Sequence, residues 1–295
     1  GVLDQVAANL TVEGGSGDDT LSLDDSGDTR DNSGTVTATQ VAGFGMTGTI
    51  TYSGVDDLVI TLGGGVDTAT VGSTASTTTT TIRGGDSADR FRVGDAARGL
   101  NDVAGFLQLD GQGGDDAVFL SDAVVGAGAT LANAGRLEAN RLTGLGMGSV
   151  DQTVIDPDHG IGFDNVASVD LVLGGGVDTL TVVGTSTSTS VDTGGGRDRV
   201  VLGDIAPGGG LAAIGAPLVV LAGADGGDLA ISSGARANLV LDRVDSARGR
   251  VTEAGATGRV DFEGFSTVSV ELGGADDALR IVDTVTTVDV RTGGG

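Results

Sequence analysis

The sequence predicts an all-β fold: a right-handed parallel β-solenoid (β-helix or β-roll) with rungs of about 20–30 residues and inserted loops or β-arms. Three observations predict it. Glycine accounts for 55 of the 295 residues, well above the roughly 7% of an average globular domain. Short glycine–aspartate segments recur along the whole chain. Beside them Val, Leu, Ile and Thr alternate with polar residues, the pattern of strands with one buried face.

The clearest internal repeat is the segment LGGGVDT, which covers residues 62–68 and again residues 173–179. A variant of it, LGGADDA, covers residues 272–278. In each copy apolar residues occupy every second position before the glycines, as at Leu58 and Ile60 in the first copy. This alternation predicts a strand on each side of a glycine turn.

An aspartate closes each glycine segment, and most of these aspartates lie about 20 to 30 residues apart, with longer intervals between groups. They are Asp19, Asp67, Asp89, Asp116, Asp178, Asp198, Asp228 and Asp277. A unit of this length cannot bury its apolar face alone, so successive units must stack. Stacking places parallel strands about 4.8 Å apart, and parallel crossovers are nearly always right-handed.

The longer intervals predict inserts at about residues 24–54, 121–165 and 232–264, which we expect to project from one side as loops or β-arms. We expect residues 1–295 to form one continuous solenoid segment of a longer repetitive protein. Its modules are approximately 1–54, 55–165, 166–264 and 265–295, of which the first and the last are partial.

Composition narrows the class of partner. The chain has 41 acidic and 16 basic residues, all of the latter Arg, and a formal net charge of -25. This charge argues against nucleic acid and anionic membranes as partners and favours multivalent cations. The chain has no Cys, which excludes disulfides and thiolate metal sites. It also has no apolar run of about 18 residues, so we expect no membrane insertion.

One copy of the turn is complete. Residues 14–22 read GGSGDDTLS and match the pattern GGxGxDxUx, where U is a large apolar residue. This segment resembles the hemolysin-type (RTX) calcium-binding repeats of secreted bacterial toxins, proteases and giant adhesins. The resemblance implies a β-roll in which Ca²⁺ lies between stacked turns, bound by aspartate carboxylates and glycine carbonyls.

Carried onto this sequence, the resemblance assigns the carboxylate role to the eight aspartates that close the turns. It assigns carbonyl ligands to glycines of the same turns, which are Gly15, Gly17, Gly64, Gly85, Gly113, Gly175 and Gly195. Hard oxygen ligands and negative charge suit Ca²⁺, and aspartates stacked about 5 Å apart repel one another unless a cation lies between them. The alternative is that these are tight Gly–Asp turns without metal.

The other copies depart from the family pattern. Gln112 stands at the second motif position of one copy and Ser87 at the fourth position of another. In the copy closed by Asp228 the apolar alternation shifts phase, which puts a site there in doubt. The family repeats its motif every nine residues at both edges of the roll, whereas this spacing predicts one motif per rung at one edge. We therefore expect several calcium sites, but not one at every turn.

Two residues invite an enzymatic interpretation. His159 is the single histidine and Tyr52 the single tyrosine. Tyr52, Phe163 and Phe262 each lie eleven residues before a glycine segment, so we interpret Tyr52 as a recurring packing residue. His159 lies in a local extension, where we expect an exposed loop residue. A general acid–base cluster is hard to assemble from these residues, and we predict that the chain is not an enzyme.

These observations predict a non-enzymatic structural or adhesive repeat segment of a large secreted, extracellular or cell-surface bacterial protein, such as a spacer, stalk, fibre or sheath. We expect its partners to be neighbouring modules or identical copies stacked end to end. Two alternatives stay open: an accessory calcium-binding module of a secreted polysaccharide-active enzyme, and a module that binds surface glycans through its inserts.

Overall fold

The computed structural model describes residues 1–125, 131–149, 151, 153, 155–204 and 209–293. This part of the chain is all-β, with one short 3₁₀-helix at Leu3–Gln5. No helix among the described residues is long and apolar enough to cross a membrane. The all-β class predicted from the glycine content and the alternating pattern is confirmed.

The strands are short, four to seven residues each, and most alternate buried and exposed positions, as the sequence pattern predicts. In chain order they are β1 (Leu10–Glu13), β2 (Thr20–Asp24), β3 (Ser33–Thr37), β4 (Gln40–Gly43), β5 (Thr49–Ser53), β6 (Asp57–Thr61), β7 (Thr68–Val71), β8 (Thr79–Gly85), β9 (Arg90–Val93), β10 (Leu107–Gln112), β11 (Ala117–Ser121), β12 (Ala134–Glu138), β13 (Arg141–Gly144), β14 (Ile161–Asp164), β15 (Ser168–Val172), β16 (Thr179–Val182), β17 (Ser188–Asp192), β18 (Asp198–Asp204), β19 (Leu218–Leu221), β20 (Gly227–Ser233), β21 (Asn238–Arg243), β22 (Arg248–Glu253), β23 (Val260–Glu263), β24 (Thr267–Leu272), β25 (Ala278–Ile281) and β26 (Thr287–Arg291).

The chain divides into two compact units. Unit 1 consists of Gly1–Asp122 and Thr143–Asp170, and unit 2 consists of Ala123–Leu142 and Leu171–Gly295. Strands β13 and β15 contain residues of both units. We therefore describe each unit through its remaining strands.

Unit 1 contains strands from two sheets. One has the order β1-β5-β4-β3-β7-β9-β11 and the other the order β2-β6-β8-β10-β14. Neighbouring strands are parallel except at β4, which is antiparallel to β3 and β5. Successive strands along the chain alternate between the two sheets from β5 to β11, so in this stretch neighbouring strands of a sheet are not consecutive in the chain.

Unit 2 repeats this arrangement. One sheet contains β17-β19-β23-β22-β21-β25 in that order, and the other contains β12-β16-β18-β20-β24-β26. Neighbouring strands are parallel except at β22, which is antiparallel to β21 and β23. The parallel sheets predicted from the repeat are therefore confirmed in both units.

The inserts differ from the prediction. In the first insert β3, β4 and β5 form an antiparallel meander inside the sheet, between β1 and β7. In the third insert β21, β22 and β23 do the same between β25 and β19. The prediction that these two inserts project as loops or arms is wrong. Their strands lie within the sheet because they carry inward-facing apolar residues, such as Val36, Val41 and Ile50, which are buried. In the second insert, residues 126–130, 150, 152 and 154 lie outside the described residues.

Apolar side chains stack from strand to strand in the interior. In unit 1 Ile60 of β6 pairs in register with Ile82 of β8, and Ile82 pairs with Leu109 of β10. All three side chains are fully buried, and each contributes about 1.5–3 kcal/mol relative to an exposed position. The recurring aromatic position is also confirmed as a packing site. Tyr52 and Phe163 are each only 2% exposed.

Candidate functional site

Four residues of unit 1 form a column across the strands. Asn32, Asp67, Asp89 and Asp116 each directly precede a strand, and the first residues of these strands (β3, β7, β9 and β11) pair in register. Oδ1 of Asp67 accepts the backbone N–H of Asn32 at 2.7 Å. Oδ1 of Asp89 accepts the N–H of Asp67 at 2.7 Å, and Oδ1 of Asp116 accepts that of Asp89 at 2.7 Å. We refer to these residues as the first column.

Unit 2 contains a second column, which consists of Asn133, Asp178 and Asp198. These residues precede or begin β12, β16 and β18, which pair in register. Oδ1 of Asp178 accepts the N–H of Asn133 at 2.7 Å, and Oδ1 of Asp198 accepts the N–H of Asp178 at 2.9 Å. A single step of the same kind links Oδ1 of Asp277 to the N–H of Ala237 at 2.8 Å.

The column carboxyl groups are buried. The five aspartates of the two columns, Asp67, Asp89, Asp116, Asp178 and Asp198, are at most 1% exposed. Burial raises the pKa of every one of them above its ordinary value, and the accepted N–H groups lower it by less. The pKa rises to about 7 for Asp89 and to about 6 for Asp178.

The second carboxyl oxygen is directed at the first glycine of its own turn. Oδ2 of Asp89 and Oδ2 of Asp116 are buried and accept no hydrogen bond. A Cβ on Gly84 would lie 2.5 Å from the first of these oxygens, and a Cβ on Gly111 would lie 2.3 Å from the second. Glycine is required at these two positions because any side chain would overlap the carboxyl group.

The glycine–aspartate turns occupy both edges of the sheets in each unit. In unit 1 the turn of Asp19 leads from β1 to β2, whereas the turns of Asp67, Asp89 and Asp116 lead in the opposite direction, from the second sheet to the first. In unit 2 the turn of Asp198 leads from β17 to β18, and the turn at residues 273–277 leads back from β24 to β25. Within each sheet these strands run parallel, so all of them end at the same edge. A turn that leaves a sheet therefore lies at the opposite edge from a turn that enters it. The prediction of a single edge is wrong.

Asp19 and Asp228 lie outside the columns. Asp19 is half-buried, and its N–H donates to Oδ2 of Asp56 at 2.8 Å. Asp228 is one residue out of register, because Gly227 pairs with Asp198 across β18 and β20. The phase shift expected from the sequence is confirmed. The Asp228 side chain accepts a hydrogen bond from Arg197 instead, at 2.9 Å.

Two of the carbonyl oxygens that the resemblance assigned to calcium accept hydrogen bonds between turns. The carbonyl oxygen of Gly85 accepts the N–H of Gly113 at 2.8 Å. That of Gly64 accepts the Ser87 hydroxyl at 2.7 Å. In the second column's turns the N–H of Gly195 donates to the carbonyl of Gly174 at 3.1 Å, beside Gly175. Gly15, Gly17 and Gly85 adopt the left-handed φ that favours glycine, at 101°, 122° and 116°.

Calcium therefore fits the columns poorly. Among the described residues no group of three or more acidic or histidine side chains converges in a way that could hold a metal ion. The column carboxylates face N–H donors, whereas Ca²⁺ requires six to eight converging oxygens. Calcium binding at these turns stays a prediction.

The sequence reasoning missed several members of this system. Asn32 and Asn133 head the two columns, although neither follows a glycine segment. Asp25 makes a similar contact elsewhere, because its Oδ1 accepts the N–H of Leu3 at 2.7 Å. It follows the inward-facing Leu23 by two residues, so continued alternation past the strand end was the available signal. No comparable signal marks the two asparagines.

The residues considered for catalysis lie in other surroundings. The Tyr52 hydroxyl donates to the backbone carbonyl of Thr37 at 2.5 Å, and burial raises its pKa to about 12. Nδ1 of His159 lies 2.9 Å from Oδ2 of Asp156, and its side chain is 25% exposed. His159 lies in a loop as predicted, but it is half-buried and not fully exposed.

Comparisons with known proteins assign no family. No protein-family model matches the chain, and no curated protein matches it.

Proposed function

We propose that this chain is a non-enzymatic structural repeat segment of a large extracellular or cell-surface protein, where it acts as a spacer, stalk or fibre. Each unit is, in this proposal, a right-handed parallel β-solenoid, because parallel crossovers favour that hand. The observation that carries the proposal is the pair of columns. They join turns that are 22, 27 and 20 residues apart along the chain by the same side-chain contact.

The use of the acidic residues supports a structural role. In an active site, acidic groups converge on a cleft in which a substrate can lie. Here the carboxyl groups of Asp89, Asp116 and Asp198 accept hydrogen bonds from backbone N–H groups of the adjacent turn. Each contact joins nearest neighbours only, which is how solenoid proteins accumulate stability from one repeat to the next.

We propose a calcium site at the first turn only. Residues 14–22 carry the complete motif. Gly15 and Gly17 face open space, because a Cβ on either would meet no atom within 4 Å beyond its chain neighbours, and Asp19 is half-buried beside Asp56. We expect a chelator to lower the melting temperature of the wild type and to leave the Asp19→Asn variant unchanged. Equal melting curves of the wild type with and without chelator would remove calcium from the proposal.

The spacer role is tested by pulling the chain from its two ends in a force spectrometer. A stack of nearest-neighbour rungs unfolds in steps of about one rung. With 22 or 27 residues between column members, each step releases about 75 to 95 Å of extended chain. Loss of each whole unit in one event, without intermediate steps, would contradict the proposal, because a compact globular domain unfolds in that way.

A further inference from the structure

In two turns of the first column, a carboxyl oxygen and a backbone carbonyl oxygen both lie close to the first glycine of the turn. Oδ2 of Asp116 and the carbonyl oxygen of Asn165 both lie 2.3 Å from the place where a Cβ on Gly111 would be. At Gly84 the corresponding distances are 2.5 Å to Oδ2 of Asp89 and 2.8 Å to the carbonyl oxygen of Gly111. Neither Oδ2 atom has a hydrogen-bond donor. An ionised carboxyl oxygen that is buried without a donor carries an uncompensated desolvation cost, and protonation removes that cost.

Neighbouring acidic groups act on these two carboxyls and raise their pKa. They are Asp67 and Asp116 beside Asp89, and Asp110 and Asp115 beside Asp116. Ionised side chains at all these positions would repel one another, and burial adds to that cost. Burial, as the larger cause, and these neighbours together raise the pKa of both column groups, to about 7 for Asp89.

The columns already contain neutral side chains. Asn32 stands in register with Asp67 at the head of the first column, and Asn133 stands in register with Asp178 at the head of the second. An amide has the same shape as a protonated carboxyl group, with one acceptor oxygen and a donor in place of the second oxygen. The fold therefore places a neutral isostere at a column position in both units.

We propose that the columns bind protons where the sequence motif suggests calcium: in the folded chain Asp89 and Asp116 are neutral acids whose Oδ1 accepts the preceding turn's N–H and whose Oδ2–H faces the next turn's carbonyl. Each proton comes from solvent. This proposal does not depend on the spacer role, since it concerns only how adjacent turns are joined.

The direction of the pH effect follows from the raised pKa. An unfolded aspartate has a pKa of about 3.9, whereas that of folded Asp89 is about 7. The stabilisation is complete below the unfolded value, is lost as the pH rises through the folded value, and does not change further above it. The columns therefore favour folding in mild acid and weaken between about pH 4 and pH 7.

The test replaces Asp89 by Asn in the full chain, with Asp228→Asn as the control at a partly exposed, ion-paired aspartate. At pH 8 with excess EDTA we expect Asp89→Asn to melt roughly 2–4 °C above the wild type. We also expect its melting temperature to change less than that of the wild type between pH 4 and pH 8. A lower melting temperature of Asp89→Asn at pH 8 overturns the proposal.

A bound cation gives a different result. In that case EDTA lowers the melting temperature of the wild type, and Asp89→Asn abolishes the response, which also overturns the proposal. A response that is lost in Asp19→Asn and kept in Asp89→Asn belongs to the first turn and leaves the column result intact.

Should Asp89→Asn fail to fold, infrared spectra of the wild type at pH 6 decide the question. A protonated carboxyl C=O band that is lost with a midpoint near pH 7 supports the proposal, and its absence overturns it.

Discussion

The turns closed by Asp198 and Asp228 lead into adjacent strands of unit 2, yet they hold their aspartates in opposite ways. Asp198 is 1% exposed, and its Oδ1 accepts the N–H of Asp178 at 2.9 Å. The side chain of Asp228 is 37% exposed and pairs with Arg197 at 2.9 Å. Burial raises the pKa of Asp198, whereas hydrogen bonds from Thr267 and Arg197 lower that of Asp228.

A shift of one residue causes the difference. Gly227 pairs with Asp198 between β20 and β18, so Asp228 pairs with Arg199 one position further on. Successive residues of a strand point to opposite faces, and a shift of one residue therefore moves the carboxyl group from the interior to the solvent. Strand register, and not the motif sequence alone, therefore decides whether a glycine–aspartate turn belongs to a column.

The buried arrangement can be broken without changing an aspartate, and this gives the largest expected effect. A Cβ on Gly111 would lie 2.3 Å from both Oδ2 of Asp116 and the carbonyl oxygen of Asn165. We expect Gly111→Ala to lower the free energy of unfolding by about 1–3 kcal/mol or more, as overpacking does. Urea denaturation at pH 6 measures the change.

Gly113→Ala in the same turn is the matched control. Its Cβ would meet nothing closer than 3.6 Å, and its φ lies outside the left-handed region. This substitution should be neutral or stabilise the chain by up to about 1 kcal/mol, because alanine restricts the unfolded chain. Equal losses for both variants would show that the first glycine has no special packing role.

Alanine substitutions of Asp198 and Asp228 compare the stability contributed by a buried column hydrogen bond with that contributed by a surface ion pair. Asp198→Ala leaves the N–H of Asp178 without its acceptor in the interior, which costs about 1–3 kcal/mol. Asp228→Ala removes a partly exposed ion pair, worth about 0–1 kcal/mol. The midpoints of urea denaturation give both values, and a loss at Asp228 as large as that at Asp198 would contradict the distinction drawn from the register.

Much of the fold could be predicted from the sequence. Alternating apolar residues specify which face of each strand is buried, and the recurrence of LGGGVDT implies stacked units. The position of the inserts could not be predicted in this way. Val36, Val41 and Ile50 alternate in the same manner whether β3, β4 and β5 lie within the sheet or project from it, so only tertiary pairing separates the two arrangements.

Five of the eight predicted aspartates lie in the two columns, whereas the two asparagines that head the columns were not predicted. The eight aspartates follow from the spacing of the motif. Their partners do not, because each N–H donor lies on another turn, 22 residues away for Asp67 and Asp89 and 45 residues away for Asn133 and Asp178. Whether a carboxyl group faces the interior depends on strand register, which a single-residue offset changes, as at Asp228.

The smallest expected effect concerns the sign of the pH dependence at the two turns. The lowered pKa of Asp228 means that its contribution to stability is present at neutral pH and is lost as the pH falls below the ordinary carboxyl value of about 3.9. Asp228→Asn should therefore cost about 0.2–1 kcal/mol at pH 7, an effect that fades in acid and in high salt.

Asp198→Asn should behave in the opposite way. The pKa of Asp198 is raised, so the wild type loses stability as the pH rises above about 4, and the variant, which does not titrate, keeps it. The amide still accepts the N–H of Asp178. Urea midpoints of the two variants and the wild type from pH 3 to pH 8 test both signs. Differences that change in the same direction for both variants would contradict the assignment of one aspartate to the interior and the other to the surface, because both effects arise from that placement.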